Sequence, residues 1–286
     1  MRKLKIAIPK GKLFDKVSSL LSEAGLGLSQ NGRNYRPKCA DCEIEVKVLK
    51  PQNIPKLVEL GSQDVAFTGY DWIAEEGAQV SELLDTGFDP VKIVAAIPAA
   101  TAPGSLQSRK IRVASEYENL TKSFLSSNGL DFVFIRSFGA TESFVPEDAD
   151  MIVDNSSSGT TLKENGLSIY AEILSSSTRF VANKDALSDP WKAQKIADIL
   201  LLLTSVIEAR KRLLIEMNVP QDKFEAILPA LPSMKAPTVS KLYGEKQEGY
   251  AVKTAVLKDQ VPALIPRLKA LGATDILVYS LRQVTL

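Results

Sequence analysis

Short apolar runs alternating with helical patterns are what most restrict the folds open to this chain. Residues 5–8 read as a strand, 13–24 as an amphipathic helix and 43–49 as a half-buried strand. Ile54, Leu57, Val58 and Leu60 give a short helix, and 64–68 form another apolar strand ending at Gly69. A second series opens with strand 91–97 and crosses a loop at 98–108 rich in Ala, Pro, Thr and Ser. It continues with strand 111–114, helix 120–127 and strands 132–135, 151–153, 168–174 and 179–182. Strands joined through helices can pair in parallel, so the pattern predicts an α/β fold with largely parallel sheets.

The remainder changes character. A long helix follows Pro190 to about residue 212, with Ile196, Ile199, Leu200, Leu203 and Ile207 at helical spacing. Strand 213–217, helix 221–227, strands 238–243 and 250–257, helix 261–271 and strand 276–280 come next, with Gly272 as a helix stop. In order this is βαββαβ, the split ferredoxin-like unit, and its span of about 75 residues suits a separate domain. No internal repeat or low-complexity segment is visible in the sequence.

Composition narrows the chemistry. With 45% hydrophobic and 24% charged residues and a net charge of +1, the chain reads as globular, with no electrostatic footprint for nucleic acid or membrane. The aliphatic run at 199–203 is far too short to span a bilayer, and Pro9-Lys10-Gly11-Lys12 interrupts the start too early for a signal peptide, so a cytoplasmic protein is expected. There is no histidine, which removes every Ser-His or Cys-His dyad. Cys39 and Cys42 form a C-x-x-C, but no other Cys or His exists to complete a zinc site; a plain loop is expected there, ahead of a redox pair.

The most informative stretch runs from Asp150 to Leu162. An apolar strand delivers Asp154 at its carboxyl end; Ser156, Ser157, Ser158, Gly159 and Thr160 follow, and a helix begins near Thr161. Unpaired N–H groups at a helix start, small hydroxyls and a glycine together suit a phosphate. Asp154 beside that anion would serve by hydrogen-bonding sugar hydroxyls or by lying close to a divalent cation. Serine-rich helix caps of no functional consequence share the same composition.

Asp154-x-x-Ser157-Ser158-Gly159-x-Thr161-Leu162-x-x-Asn165-Gly166-Leu167 resembles the phosphoribosyl-pyrophosphate loop of the ATP phosphoribosyltransferases. Further blocks occur in that family's order: 8–13, beginning Ile8-Pro9-Lys10-Gly11-Lys12; Ile54-Pro55 with Gly61, Asp64, Thr68-Gly69 and Asp71; 114–121 around Glu116 and Asn119; and Gly139-Ala140-Thr141-Glu142. Ala236-Pro237-Thr238 and 271–277 resemble the regulatory domain of the long form.

This resemblance implies a bilobal catalytic region, similar to periplasmic binding proteins, with a C-terminal ACT-like domain. One lobe would comprise 1–90 and 183–211, the other 91–182, and the ACT-like domain 212–286. It implies transfer of a phosphoribosyl group to N1 of the adenine of ATP, a Mg2+ requirement, histidine as feedback inhibitor, and dimers or hexamers. Asp154, Ser157, Ser158, Gly159, Thr160, Thr161 and Leu162 would hold phosphoribosyl pyrophosphate. Lys10, Lys12, Lys50, Asp71, Glu116 and Glu142 would meet ATP or pyrophosphate, with Tyr70 beside them, while direct metal ligands are not identified. Asn218, Met234, Thr238 and Ala273 would form the histidine pocket. Lys12 and Lys50 stand where the family usually has Arg, and Asn53 where it usually has Asp. A non-catalytic small-molecule binder or amino-acid sensor of the same bilobal fold is the alternative; it predicts an export signal or a degraded phosphate loop.

Overall fold

The computed structural model describes residues 2–29, 34–232, 234, 236–243 and 248–286. It divides into two compact units: Met1–Ser22 with Leu26–Ala197, and Glu23–Gly25 with Asp198–Leu286.

The first unit holds two sheets built to one plan. In one, the parallel strands run Ile44–Leu49, Leu4–Pro9, Val65–Gly69; Thr178–Ala182 then pairs antiparallel with Val65–Gly69, and Ser81–Asp85 antiparallel with it. In the other the parallel strands run Phe132–Arg136, Ile111–Ser115, Met151–Ser156; Val91–Pro98 then pairs antiparallel, and Leu167–Ser176 antiparallel with that. Both sheets therefore follow the same order, and each takes its first antiparallel strand from a crossing of the chain. Two copies of one topology lie in a sequence without a visible repeat. A short pair, Leu28–Ser29 with Lys38–Cys39, extends the first sheet.

Burial explains why the central strands read as unbroken apolar runs. Leu4, Ile6, Ala7 and Ile8 are fully buried, as are Val65, Ala66, Phe67 and the Ile93–Ile97 run, because a sheet covered on both faces needs apolar side chains on both. Helix Lys12–Glu23 buries Val17, Leu20 and Leu21, one stripe at helical spacing.

The mixed α/β class expected from the sequence is present, with corrected boundaries. Thr178–Ala182, assigned above to the second lobe with 91–182, hydrogen-bonds within the first sheet. The expected loop at 98–108 contains a 3-10 turn, Pro103–Ser108. Helix Pro190–Arg210 straddles the division between the two units at Ala197 and Asp198.

The second unit contains a four-stranded antiparallel sheet ordered Thr238–Lys241, Gly249–Leu257, Arg212–Pro220, Thr274–Ser280. Numbered along the chain this order is 2-3-1-4, the arrangement of a ferredoxin-like βαββαβ unit. Ile215, Met217 and Val219 alternate into its core against Val261, Leu264 and Leu268 of helix Val261–Ala270. The helix expected over 221–227 is a 3-10 turn, Gln221–Lys223, followed by one helical turn, Phe224–Ile227. The strand expected over 238–243 ends at Lys241, and residues 244–247 of the expected polar loop lie outside the described residues. Among the described residues, no helix is long and apolar enough to cross a membrane.

Candidate functional site

Each parallel strand of the first unit hands the chain to a polar turn at its carboxyl end, where open α/β sheets bind ligands. Leu4–Pro9 leads to Lys10 and Lys12, Ile44–Leu49 to Lys50, Val65–Gly69 to Tyr70 and Asp71, Ile111–Ser115 to Glu116, and Met151–Ser156 to the 157–161 loop.

Two cavities form there. One, of about 450 Å³, is lined by Lys12, Glu116, Glu142, Asp154 and every residue from Asn155 to Leu162, with Gly139 and Ala140. The other, of about 540 Å³, is lined by Lys50, Gln52, Asn53, Trp72, Glu75, Glu76, Glu116, Asn119, Arg136, Ser137 and Phe138. Glu116 belongs to both.

The loop is pinned from within. Gly159 adopts φ +74°, in the left-handed region that L side chains avoid. Its N–H donates to Ser156 Oγ at 3.1 Å, and the Ser158 and Thr160 hydroxyls pair at 2.9 Å. Leu162 is buried among Val94, Ala96 and Ile152, so it anchors the loop to the sheet. Helix Thr160–Glu164 begins at Gly159.

Asp154 is half-buried, and burial is the main cause that pushes its pKa up to about 6. The Asn155 N–H and the Thr141 hydroxyl hold it down, while the charges of Glu142 and Glu116 raise it further. A carboxylate poised this way gains from any cation or hydroxyl donor that enters the cavity.

Two of the expected ligand residues, Asp71 and Lys10, line neither of these cavities. Asp71 is 6% exposed and accepts two side-chain hydrogen bonds: Ser176 Oγ donates to it at 2.7 Å and Tyr117 Oη at 2.8 Å. Helix Tyr70–Glu76 carries it, with its carboxylate against Tyr117. Lys10 lines neither of the two cavities; its ammonium lies 5.5 Å from the Tyr35 ring centroid, while Arg179 stacks over Tyr70 at 5.3 Å.

The chain matches the family model for ATP phosphoribosyltransferase (HisG) over residues 50–205. It matches the model for the HisG C-terminal domain over residues 209–283. It is 38% identical to the ATP phosphoribosyltransferases of Desulforudis audaxviator and Pelotomaculum thermopropionicum, covering 99% of both chains in each case. The chain belongs to the ATP phosphoribosyltransferase family. It is a phosphoribosyltransferase by that membership. Among solved structures, it resembles the ATP phosphoribosyl transferase (HisG:HisZ) complex from Thermotoga maritima, with TM-score 0.66 and 28% identity over 72% of this chain and 98% of that one.

Several lining residues of this phosphoribosyltransferase escape sequence reasoning. Arg136 ends a strand, lines the larger cavity and donates to the Glu116 carbonyl at 3.4 Å while pairing with Glu118. Gln52 Nε2 reaches Glu116 at 3.5 Å. Phe138 is 89% exposed at the cavity rim, an unusual place for a large aromatic. Only their position after strand ends would have flagged them.

In the second unit, Asn218 pairs across the sheet with Thr274, next to the buried Ala273, and its Nδ2 donates to Asp275 Oδ2 at 2.9 Å. Thr238 lies two strands away on the edge, opposite Lys253, and Met234 is exposed on the connection before it. Cys39 ends a two-residue strand, Cys42 sits in the following turn, and both thiols are free. Burial raises the Cys39 pKa, which makes it a poor nucleophile.

Proposed function

We propose that this enzyme condenses ATP with phosphoribosyl pyrophosphate to give N1-(5-phosphoribosyl)-ATP and pyrophosphate, the opening step of histidine synthesis. The observation that carries the reading is the cavity in which Lys12, Glu142 and Asp154 face the pinned Ser157–Thr161 loop. In this reading the loop hydroxyls and N–H groups hold the 5-phosphate, and Asp154 accepts hydrogen bonds from the ribose hydroxyls. Lys12 meets the pyrophosphate as a point charge. The neighbouring cavity, with Lys50 and Arg136, takes ATP, and Glu116 lies between the two substrates.

The adenine N1 lone pair forms the bond to C1 of the sugar as the bond from C1 to pyrophosphate breaks. Neither substrate needs a side-chain nucleophile, so the protein contributes positioning and charge stabilisation. A chain without histidine can do both.

The donor set also suits Mg2+. Asp154, Glu116 and Glu142 offer hard oxygen ligands around one cavity. Among the described residues, no three or more His, Cys, Asp or Glu side chains are grouped so as to hold a metal ion by themselves. Magnesium is commonly held by one or two carboxylates plus substrate phosphates, which matches that arrangement. When bound, it would neutralise phosphate charge and ease departure of pyrophosphate.

For the ferredoxin-like unit the proposal is feedback inhibition by histidine, in an enzyme assembled as a dimer or hexamer and acting in the cytoplasm. The test is ultraviolet absorbance with ATP, phosphoribosyl pyrophosphate, Mg2+ and pyrophosphatase, with and without histidine. A rise suppressed by histidine is expected. A rise insensitive to histidine would remove the regulatory reading, and no rise would remove the catalytic one.

A further inference from the structure

A directional hydrogen-bond relay runs from helix Tyr70–Glu76 to Asp154. Asp71 sits at its base: Ser176 Oγ donates to one carboxylate oxygen at 2.7 Å and itself accepts the Asp71 N–H at 3.0 Å. Tyr117 Oη lies 2.8 Å from the other oxygen. A carboxylate has no hydrogen to give, so the tyrosine donates, leaving its oxygen lone pairs free. Asn155 Nδ2 lies 3.4 Å from that oxygen and 3.1 Å from Asp154 Oδ1. Its amide therefore points both hydrogens outward, one to Tyr117 and one to Asp154. Flipping it would set its carbonyl against two acceptors. The backbone N–H of Asn155 adds a second bond to the same Asp154 oxygen at 2.7 Å.

The surroundings hold the relay still. Tyr117 is 2% exposed, and its ring stacks on Trp72 with centroids 4.6 Å apart. Ser115 Oγ accepts the Tyr117 N–H at 2.9 Å and donates to the carbonyl of Val153, the residue before Asp154, at 2.6 Å. Burial, then the charge of Asp71 and its hydrogen bond, raise the Tyr117 pKa well above its usual range, which keeps the hydroxyl a donor.

We propose that Asp71 and Tyr117 are positioning residues for the transfer, acting through Asn155 to fix the Asp154 carboxylate against the phosphoribosyl group. The proposal rests on the reaction proposed above and extends it to groups outside the cavity. It also accounts for an acid and a tyrosine placed just after strand ends yet lining neither cavity.

The test is a double-mutant cycle on the full-length enzyme. Tyr117→Phe keeps the ring and its stack on Trp72 but removes the hydroxyl; Asn155→Ala removes the amide. Each is expected to raise KM for phosphoribosyl pyrophosphate about tenfold while KM for ATP stays within twofold. The double variant should match the single ones, because each cuts the same relay. Independent effects that multiply to about a hundredfold would overturn the proposal, as would a folded Tyr117→Phe enzyme with an unchanged KM for phosphoribosyl pyrophosphate. Should Tyr117→Phe fail to fold, Asn155→Ala alone decides: an unchanged KM for phosphoribosyl pyrophosphate refutes the relay. Failure of the underlying reaction is distinguishable, since the parent enzyme would then form no product.

Discussion

Glu75 accepts the backbone N–H groups of Asn119 and Leu120, each at 2.9 Å, and Asn119 Nδ2 donates back to the Glu75 carbonyl at 2.8 Å. These N–H groups belong to the first turn of helix Glu118–Ser127, whose own preceding residue, Tyr117, supplies no side-chain cap. A carboxylate 44 residues earlier thus does the work of a local N-cap and faces the positive end of the helix dipole. Glu75→Gln keeps the shape and one acceptor but loses the charge. It should cost about 1–2 kcal/mol, read as a lower midpoint in thermal or denaturant unfolding. An unchanged midpoint would show that solvent caps this helix equally well.

Asp154 sets a pH dependence of stability opposite to that of a salt-bridged carboxylate. Its pKa is about 6 when folded, against an ordinary value of 3.8. As pH rises between those values the unfolded chain releases this proton first, so folding becomes less favourable, and above about 6 the penalty is complete. Asp154→Asn removes the penalty. The variant should be more stable than its parent by about 1–3 kcal/mol at pH 8 and indistinguishable from it near pH 3.5. The same change should lower affinity for phosphoribosyl pyrophosphate at least tenfold. Unfolding midpoints across pH, with titration calorimetry for binding, check both halves.

The sequence carries the strands of this fold because their burial leaves a continuous apolar trace, as at Ile93–Ile97 and Val65–Phe67. Sheet order leaves no such trace. That Thr178–Ala182 returns to the first sheet depends on pairing with residues more than 90 positions away. The strand Ser81–Asp85 was missed because it is half-exposed and acidic, with neither an apolar run nor clean alternation. The loop proposed to hold a phosphate stands out in the sequence because its features are local: acid, hydroxyls, glycine and helix start lie within nine residues, 154–162. The surroundings of Asp71 are not legible in the sequence for the converse reason. Its position after a strand end suggested the cavity, but its partners Tyr117 and Ser176 lie 46 and 105 residues along the chain.

Gly159 allows a conformational test of the loop. At φ +74°, with nothing within 4 Å of where a Cβ would lie, alanine meets no clash but pays the left-handed backbone cost. Gly159→Ala should lose about 1–2 kcal/mol of loop stability. Because the loop turns on this residue, KM for phosphoribosyl pyrophosphate should rise several-fold with little change in KM for ATP. Steady-state kinetics with each substrate varied in turn decides; equal effects on both would mean that the loop serves the two substrates alike.

Asn218 offers the corresponding test of regulation. Its amide donates to Asp275, a residue held at φ +49°, where a non-glycine backbone needs support from its neighbours. Thr274 Oγ1 donates to the same carboxylate oxygen at 3.1 Å, so the turn into strand Thr274–Ser280 is fixed from two sides. If histidine binds at the end of this sheet, Asn218→Ala frees one side of that turn and removes a polar contact. The histidine concentration for half-inhibition should rise at least tenfold while kcat without histidine stays within twofold, since Asn218 lies in the second unit and both cavities are lined by residues of the first. Initial rates over a histidine titration separate the outcomes. Unchanged inhibition would place the effector elsewhere in the protein, and a parallel fall in basal kcat would mean that the substitution disturbs the fold instead of the effector site.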